Sequence, residues 1–109
     1  YGTMGGEGQP QTQAAIFARH ILFGQGVQEA ITAPRWLLGR TWGDDNNNLK
    51  LESRFSPELI AALRDAGHDV VIVDPFSDLM GHAGALVQNT NGIIEAGFDP
   101  RSDGRAAGF

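Results

Sequence analysis

A paired glycine, Gly5-Gly6, stands between an extended lead-in over residues 1–4 and a helix that opens on Gln9-Pro10. Neither glycine has a Cβ, so φ is unrestricted and a ligand can approach the main chain closely. Adjacent backbone N–H groups at a strand-to-helix turn of this kind can point together into a cleft. That is the geometry of an oxyanion hole or an anion cradle. The same pair also suits a plain tight turn, and residue type alone leaves both readings open. Glu7 follows at once, placed either to contact a substrate or to stabilise the positive end of the following helix. The chain holds no nucleophile with a base arranged to use such a hole, so any catalytic machinery here is expected to be completed by residues elsewhere.

The other residues capable of chemistry carry structural readings. His20, His68 and His82 lie far apart and lack metal-ligand spacing. His68 follows the helix-ending Gly67 and is expected at a surface turn, while His20 sits mid-helix. His82, in Met80-Gly81-His82, either lines a cleft from a strand start or packs structurally. Asp99, Arg101 and Asp103 alternate acid and base; such a tail is expected to form a salt-bridged clamp on the C-terminus rather than a catalytic acid cluster. Trp36 and Trp42 are expected in the core. Arg35 and Arg40 beside them have Asp44 or Asp45, or a partner subunit, to pair with. Ser56 reads as an N-cap rather than a nucleophile.

The elements that must position these residues follow from pattern. Pro10 suits a first helical turn, and Ala14, Phe17, Ala18, Ile21 and Leu22 recur at helical spacing, widened by Ala15, Ile16 and Phe23. That predicts a largely buried helix over 9–23, ended by Gly24-Gln25-Gly26. A short helix over 27–32 stops before Pro34. Residues 36–38 read as a short strand, and 49–52 alternate apolar and polar as a half-buried strand does. Ser56-Pro57-Glu58 starts a helix that Gly67 closes. Residues 70–73, all β-branched, predict a buried strand, and Asn91-Gly92 between two apolar runs predicts a hairpin over 83–98. This order fits an α+β layered fragment, with helices on one face of a mostly antiparallel sheet.

With 109 residues, 41% of them hydrophobic, there is room for one small domain. A net charge of −5 supplies no basic stripe for phosphates, so nucleic acid is not an expected partner. Zero cysteines excludes disulfides, thiolate metal sites and a cysteine nucleophile. No apolar run approaches the roughly 20 residues that span a bilayer. The chain opens in the middle of a strand-like phrase and reads as a piece of something longer. No metal and no cofactor are expected.

Four phrases occur in register: GTMGGEGQPQTQ over 2–13, EAITAPRW over 29–36, LKLESRF over 49–55 and DPRSDGRAAGF over 99–109. Together they resemble the C-terminal end of the small subunit of γ-glutamyltranspeptidases, and the resemblance covers essentially all of residues 1–109. It implies a fragment of the N-terminal-nucleophile hydrolase fold, an αββα sandwich in which antiparallel sheets stack between helical layers. It implies a proenzyme that cleaves itself, and a new N-terminal threonine, upstream of this chain, that attacks the γ-glutamyl amide of glutathione or a related compound. An acyl-enzyme then passes to water or to an amine. The family's oxyanion-hole glycines fall on Gly5 and Gly6. The implied partners are the large subunit, the remainder of the small subunit and a small γ-glutamyl substrate. Relatives vary between a serine–arginine and an acidic phrase after the glycines. Glu7 therefore leaves open a γ-glutamyl amidase or a glutaryl or cephalosporin-type acylase on the same scaffold, and a non-catalytic interaction module is the third reading. Family members are commonly periplasmic, secreted or membrane-anchored.

Overall fold

A computed structural model describes residues 1–43 and 45–108. Two three-stranded sheets carry the chain. The first has the order β1 (Gly2–Met4), β5 (His82–Gln88), β6 (Ile94–Phe98) and is antiparallel throughout. The second has the order β2 (Trp36–Leu38), β3 (Leu49–Glu52), β4 (Val70–Val73); its first pair is antiparallel and its second parallel. Helix α3 (Pro57–Asp65) makes the crossover that a parallel pair requires. The α+β expectation holds, and one parallel pair joins the antiparallel majority.

Local chemistry accounts for the element ends. Ser56 Oγ accepts from the Leu59 N–H at 3.2 Å, so α3 is capped as its sequence reads. Gly67 at φ +95 closes it. Asn91-Gly92 makes the β5–β6 turn: Gly92, at φ +85, donates to the Asn89 carbonyl at 2.9 Å, and Asn91 Oδ1 accepts from Ile93 N–H at 3.0 Å.

The apolar core joins Ile16 of α1 (Gln9–Phe17) and Val27, Ala30 and Ile31 of α2 (Val27–Thr32) to Ala83 of β5. Gly97 lets α2 lie close on β6, because a Cβ there would stand 2.8 Å from Ile31 Cδ1. Two glutamines close sheet edges as an extra strand would. Gln28 exchanges both main-chain bonds with Phe98, at 2.9 and 3.0 Å. Gln11 does the same with Leu38, at 2.8 Å each way.

Four burial expectations are corrected. The helix over 9–23 forms, but Ala18–Leu22 is π-helical, and Phe17, Ile21, Leu22 and Phe23 are exposed rather than buried. Only Thr12 and Ile16 of α1 are buried, since no described element covers its other side. Strand β3 is buried at all four positions, because it is the central strand and its polar residues Lys50 and Glu52 have partners. Strand β4 lies at an edge, leaving Val71 and Ile72 part-exposed. Trp36 and Trp42 are 36% and 60% exposed instead of filling the core.

Candidate functional site at the glycine turn

Strand β1 delivers the chain to Gly5 and Gly6, and a 3-10 turn over Gly6–Gly8 leads into α1. Gly5 takes φ +149 and Gly6 φ +56, conformations that side-chain-bearing residues rarely adopt. The Gly5 carbonyl accepts from Gly8 N–H at 3.1 Å and from the Thr41 hydroxyl at 3.2 Å. Among the described residues, no acceptor meets the N–H of Gly5 or of Gly6. Neither glycine belongs to a strand ladder.

The turn is backed by main chain. Gly81, at φ +69, faces Gly5 so closely that a Cβ on Gly5 would stand 2.9 Å from Gly81 Cα. A Cβ on Gly8 would stand 2.7 Å from Leu37 Cδ1. Thr12 donates to the Met80 carbonyl at 3.2 Å. Arg35 donates to the Met80 and Gly81 carbonyls at 3.2 and 3.0 Å. Beside the turn opens a cavity of about 530 Å³, lined by Met4, Trp42, Phe76, Asp78, Gly81 and His82 among others.

Arg35 belongs to a buried group of four charges that ties both sheets and the C-terminal turn together. Its Nη2 pairs with Asp99, whose Oδ2 also accepts from Ala83 N–H at 2.8 Å. Arg101 grips Glu52 with two bonds, Nε–Oε1 at 2.7 Å and Nη2–Oε2 at 2.6 Å, and reaches Asp99 Oδ1 at 3.0 Å. Glu52 Oε2 accepts from Arg35 N–H at 3.0 Å as well. Burial lowers the Arg35 pKa, with the Arg101 charge acting the same way and Asp99 opposing. For Arg101 burial also acts downward, but hydrogen bonds and charge from Glu52, then Asp99, carry the pKa above its ordinary value. The two guanidinium groups and two carboxylates pair with one another, as buried charges must; Arg54 Nη1 approaches Glu52 Oε2 at 3.5 Å from the rim, and Arg35 Nε is left without a partner.

The residues singled out by sequence now have positions. Gly5, Gly6 and Glu7 share the turn, and Glu7 Oε1 lies 3.8 Å from Arg40 Nη2 with both side chains exposed. Asp99 and Arg101 form the expected clamp, while Asp103 is exposed and stands outside it. Arg35 pairs with Asp99 rather than with Asp45, because it enters β2 from the buried end; Arg40 reaches Asp45 at 3.8 Å, and Asp44 lies outside the described residues. His82 lines the cavity, its buried Nε2 making no hydrogen bond and lying 3.5 Å from Asp78 Oδ1. His20 Nδ1 lies 2.8 Å from the Gln25 carbonyl oxygen, and His68 is exposed. No group of three potential metal ligands occurs among the described residues, nor is any described helix long and apolar enough to cross a membrane. Sequence reasoning missed Thr41, Gly81 and Glu52 as supports of the turn and clamp. Their signals were faint: a threonine in a polar loop, a lone glycine and one strand-end acid.

Comparison with known proteins bears on the family and the fold. Over its full length the chain is 61% identical to an oxamate amidohydrolase proenzyme of Klebsiella pneumoniae and 48% identical to a glutathione hydrolase-like YwrD proenzyme of Bacillus subtilis. It spans 21% of each, about a fifth of these relatives' length. Among solved structures, a cephalosporin acylase from Bacillus halodurans superposes with TM-score 0.84 at 30% identity, over 97% of this chain and 19% of that one. A Helicobacter pylori γ-glutamyltranspeptidase mutant gives TM-score 0.71 at 24% identity, over 93% and 52%. These neighbours are N-terminal-nucleophile hydrolases, and the two sheets with their helices are part of that α+β fold. The family model described as gamma-glutamyltranspeptidase matches residues 1–109 throughout, and the chain belongs to that family.

Proposed function

We propose that residues 1–109 are the C-terminal segment of the catalytic small subunit of an N-terminal-nucleophile amide hydrolase, with the N–H groups of Gly5 and Gly6 as its oxyanion hole. What carries this reading is a pair of glycine amides without acceptors in a chain of this family, at a turn whose neighbours Met4 and Gly81, though not the two glycines themselves, line a cavity. The attacking group would be the N-terminal threonine of the small subunit, upstream of Tyr1. Its hydroxyl adds to the amide carbonyl carbon while its α-amine takes the proton. The carbonyl π pair moves onto oxygen, where the glycine N–H groups meet the charge. Collapse breaks the C–N bond as the α-amine protonates the leaving nitrogen. The acyl ester then passes to water, or to an amine, by the same steps.

A small anionic amide of the oxamate kind is the favoured substrate class, supported by the 61% identical relative's name. A γ-glutamyl amide is the second reading, supported by the name of the 48% identical relative. Ammonia release from oxamate, set against p-nitroaniline release from γ-glutamyl p-nitroanilide with and without an acceptor dipeptide, separates the two. In the matured full-length enzyme, Gly6→Val lowers kcat by about 10²–10³-fold with KM little changed. Unchanged turnover would remove Gly6 from the mechanism. Glu7, adjoining the pair, stands near the substrate in this reading, where its carboxylate repels an anionic end. Glu7→Gln then lowers KM for an anionic amide by less than about fivefold, as befits an exposed charge; a KM that stays put leaves Glu7 a helix-dipole residue.

A further inference from the structure

We infer that Thr41 is a positioning residue, whose hydroxyl locks the peptide between Gly5 and Gly6 so that the Gly6 N–H is presented away from the protein interior. The inference rests on the oxyanion reading above and names the group that keeps the hole formed.

The argument begins with the peptide plane. In a trans peptide the carbonyl oxygen and the following N–H point in opposite directions, and no cis bond occurs among the described residues. The Gly5 carbonyl is held on one side by two donors, Gly8 N–H at 3.1 Å and Thr41 Oγ1 at 3.2 Å. An sp² oxygen has two lone pairs, so both are engaged. The Gly6 N–H, at the opposite edge of the same plane, must face away from Thr41 and Gly8. It finds no acceptor there among the described residues.

Such a lock is needed because a Gly-Gly peptide rotates easily: neither neighbour has a Cβ to oppose coupled changes of ψ at Gly5 and φ at Gly6. A rotated peptide would turn its carbonyl toward the developing oxyanion, replacing attraction with repulsion. Donors that need no reorganisation during the reaction are what make such a hole effective. Gly8 supplies one holding bond from the turn itself, and Thr41 supplies the other from a distant loop.

That loop is built to bury Thr41. Thr41 is 1% exposed, yet its neighbour Trp42 is 60% exposed and takes φ +54, an unfavourable conformation for a bulky residue. Gly39 at φ +84 and Gly43 at φ +80 flank the reversal. Strain of this sort persists only where surrounding contacts over-determine it. The result is that the threonine hydroxyl goes under the glycine turn while the indole goes to the adjoining cavity. The Thr41 hydroxyl oxygen also lies 3.7 Å from where a Gly6 Cβ would be, so it packs beneath both glycines.

The test compares Thr41→Val, Thr41→Ala, Thr41→Ser and Gly6→Val in the full-length, matured enzyme. Thr41→Val keeps the shape and loses the donor; kcat falls about tenfold while KM stays within about twofold, the signature of an interaction that matters in the transition state. Thr41→Ser restores kcat to within about threefold of the parent, because the hydroxyl is back. Where Thr41→Val does not mature, the Ala and Ser variants read the same contrast. Equal impairment of the serine and the valine or alanine variants overturns the proposal, since packing by the methyl would then be what counts. Unchanged kcat in the hydroxyl-free variants, with turnover lost in Gly6→Val, also overturns it while leaving the oxyanion reading intact. Full turnover in Gly6→Val sinks the oxyanion reading itself.

Discussion

Met4, Gly5 and Gly81 meet main chain to main chain, and at that crossing a side chain has nowhere to go. A Cβ on Gly81 would overlap the Met4 carbonyl oxygen, and the residue's φ of +69 with ψ of 178 lies in a region open essentially to glycine alone. Gly81→Ala is therefore expected to destabilise the folded enzyme by about 3 kcal/mol or more, through strain and overpacking together. Chemical denaturation of the full-length protein checks it; a loss under about 1 kcal/mol would mean that the crossing relaxes freely. The turn at Gly5 and Gly6 was legible as two adjacent glycines at a strand-to-helix boundary; the oxyanion role rests on the family resemblance, since residue type alone left a plain turn open. Gly81 and Thr41 were not legible, since a lone glycine and a loop threonine acquire meaning only from what lies across the fold. Burying Thr41 depends on the chain returning to the turn across a sequence separation of 36.

At the scale of elements, the four buried charges do what the short strands cannot do alone. Glu52 ends β3, Arg35 leads into β2, and Asp99 and Arg101 follow β6, so one cluster bonds parts of both sheets. Arg101 also reaches the carbonyls at the end of α2, Ile31 and Ala33, each at 3.2 Å. Replacing it takes the two-bond partner from buried Glu52, which keeps only Arg54 at 3.5 Å as a counter-charge, and leaves Asp99 to Arg35 alone; removing one side of a buried pair costs about 3–5 kcal/mol. Arg101→Met is expected to lower stability by that amount, measured by denaturant unfolding. Arg101→Lys should recover little, because an ammonium cannot span Glu52 and Asp99 as the planar guanidinium does. An equally stable Arg101→Met variant would show that the cluster serves specificity rather than stability. The clamp's C-terminal half was visible as an alternation of acid and arginine. Its other half was not, because Arg35 and Glu52 sit in separate phrases with nearer apparent partners. Element types fared better than burial. The cap at Ser56, the turn at Asn91-Gly92 and the six short strands follow local rules, whereas the exposure of β4 and the enclosure of β3 depend on strand order.

Across the whole molecule, the apolar side chains of Phe17, Ile21, Leu22 and Phe23, with Tyr1 and Leu86, stand exposed at one end of the long helix and on β5. A cleft of about 200 Å³ between Tyr1, Phe17, Ile21 and Leu86 runs along that surface. The helix is apolar nearly all round, which predicts burial; in these 109 residues only the Thr12 and Ile16 side is covered. The expectation failed because periodicity reports how much of a helix is apolar, not which neighbour covers it. The chain spans about a fifth of its curated relatives' length. By itself the sequence determined the element types and their order, because propensity, capping and turn chemistry act over a few residues, and the family, through four phrases in register. Only the tertiary structure decided strand order, the partners of Arg35 and Glu52, and the hydroxyl that holds the Gly5 carbonyl. Those depend on which distant segments the packing brings within hydrogen-bond reach, and no local pattern encodes that choice.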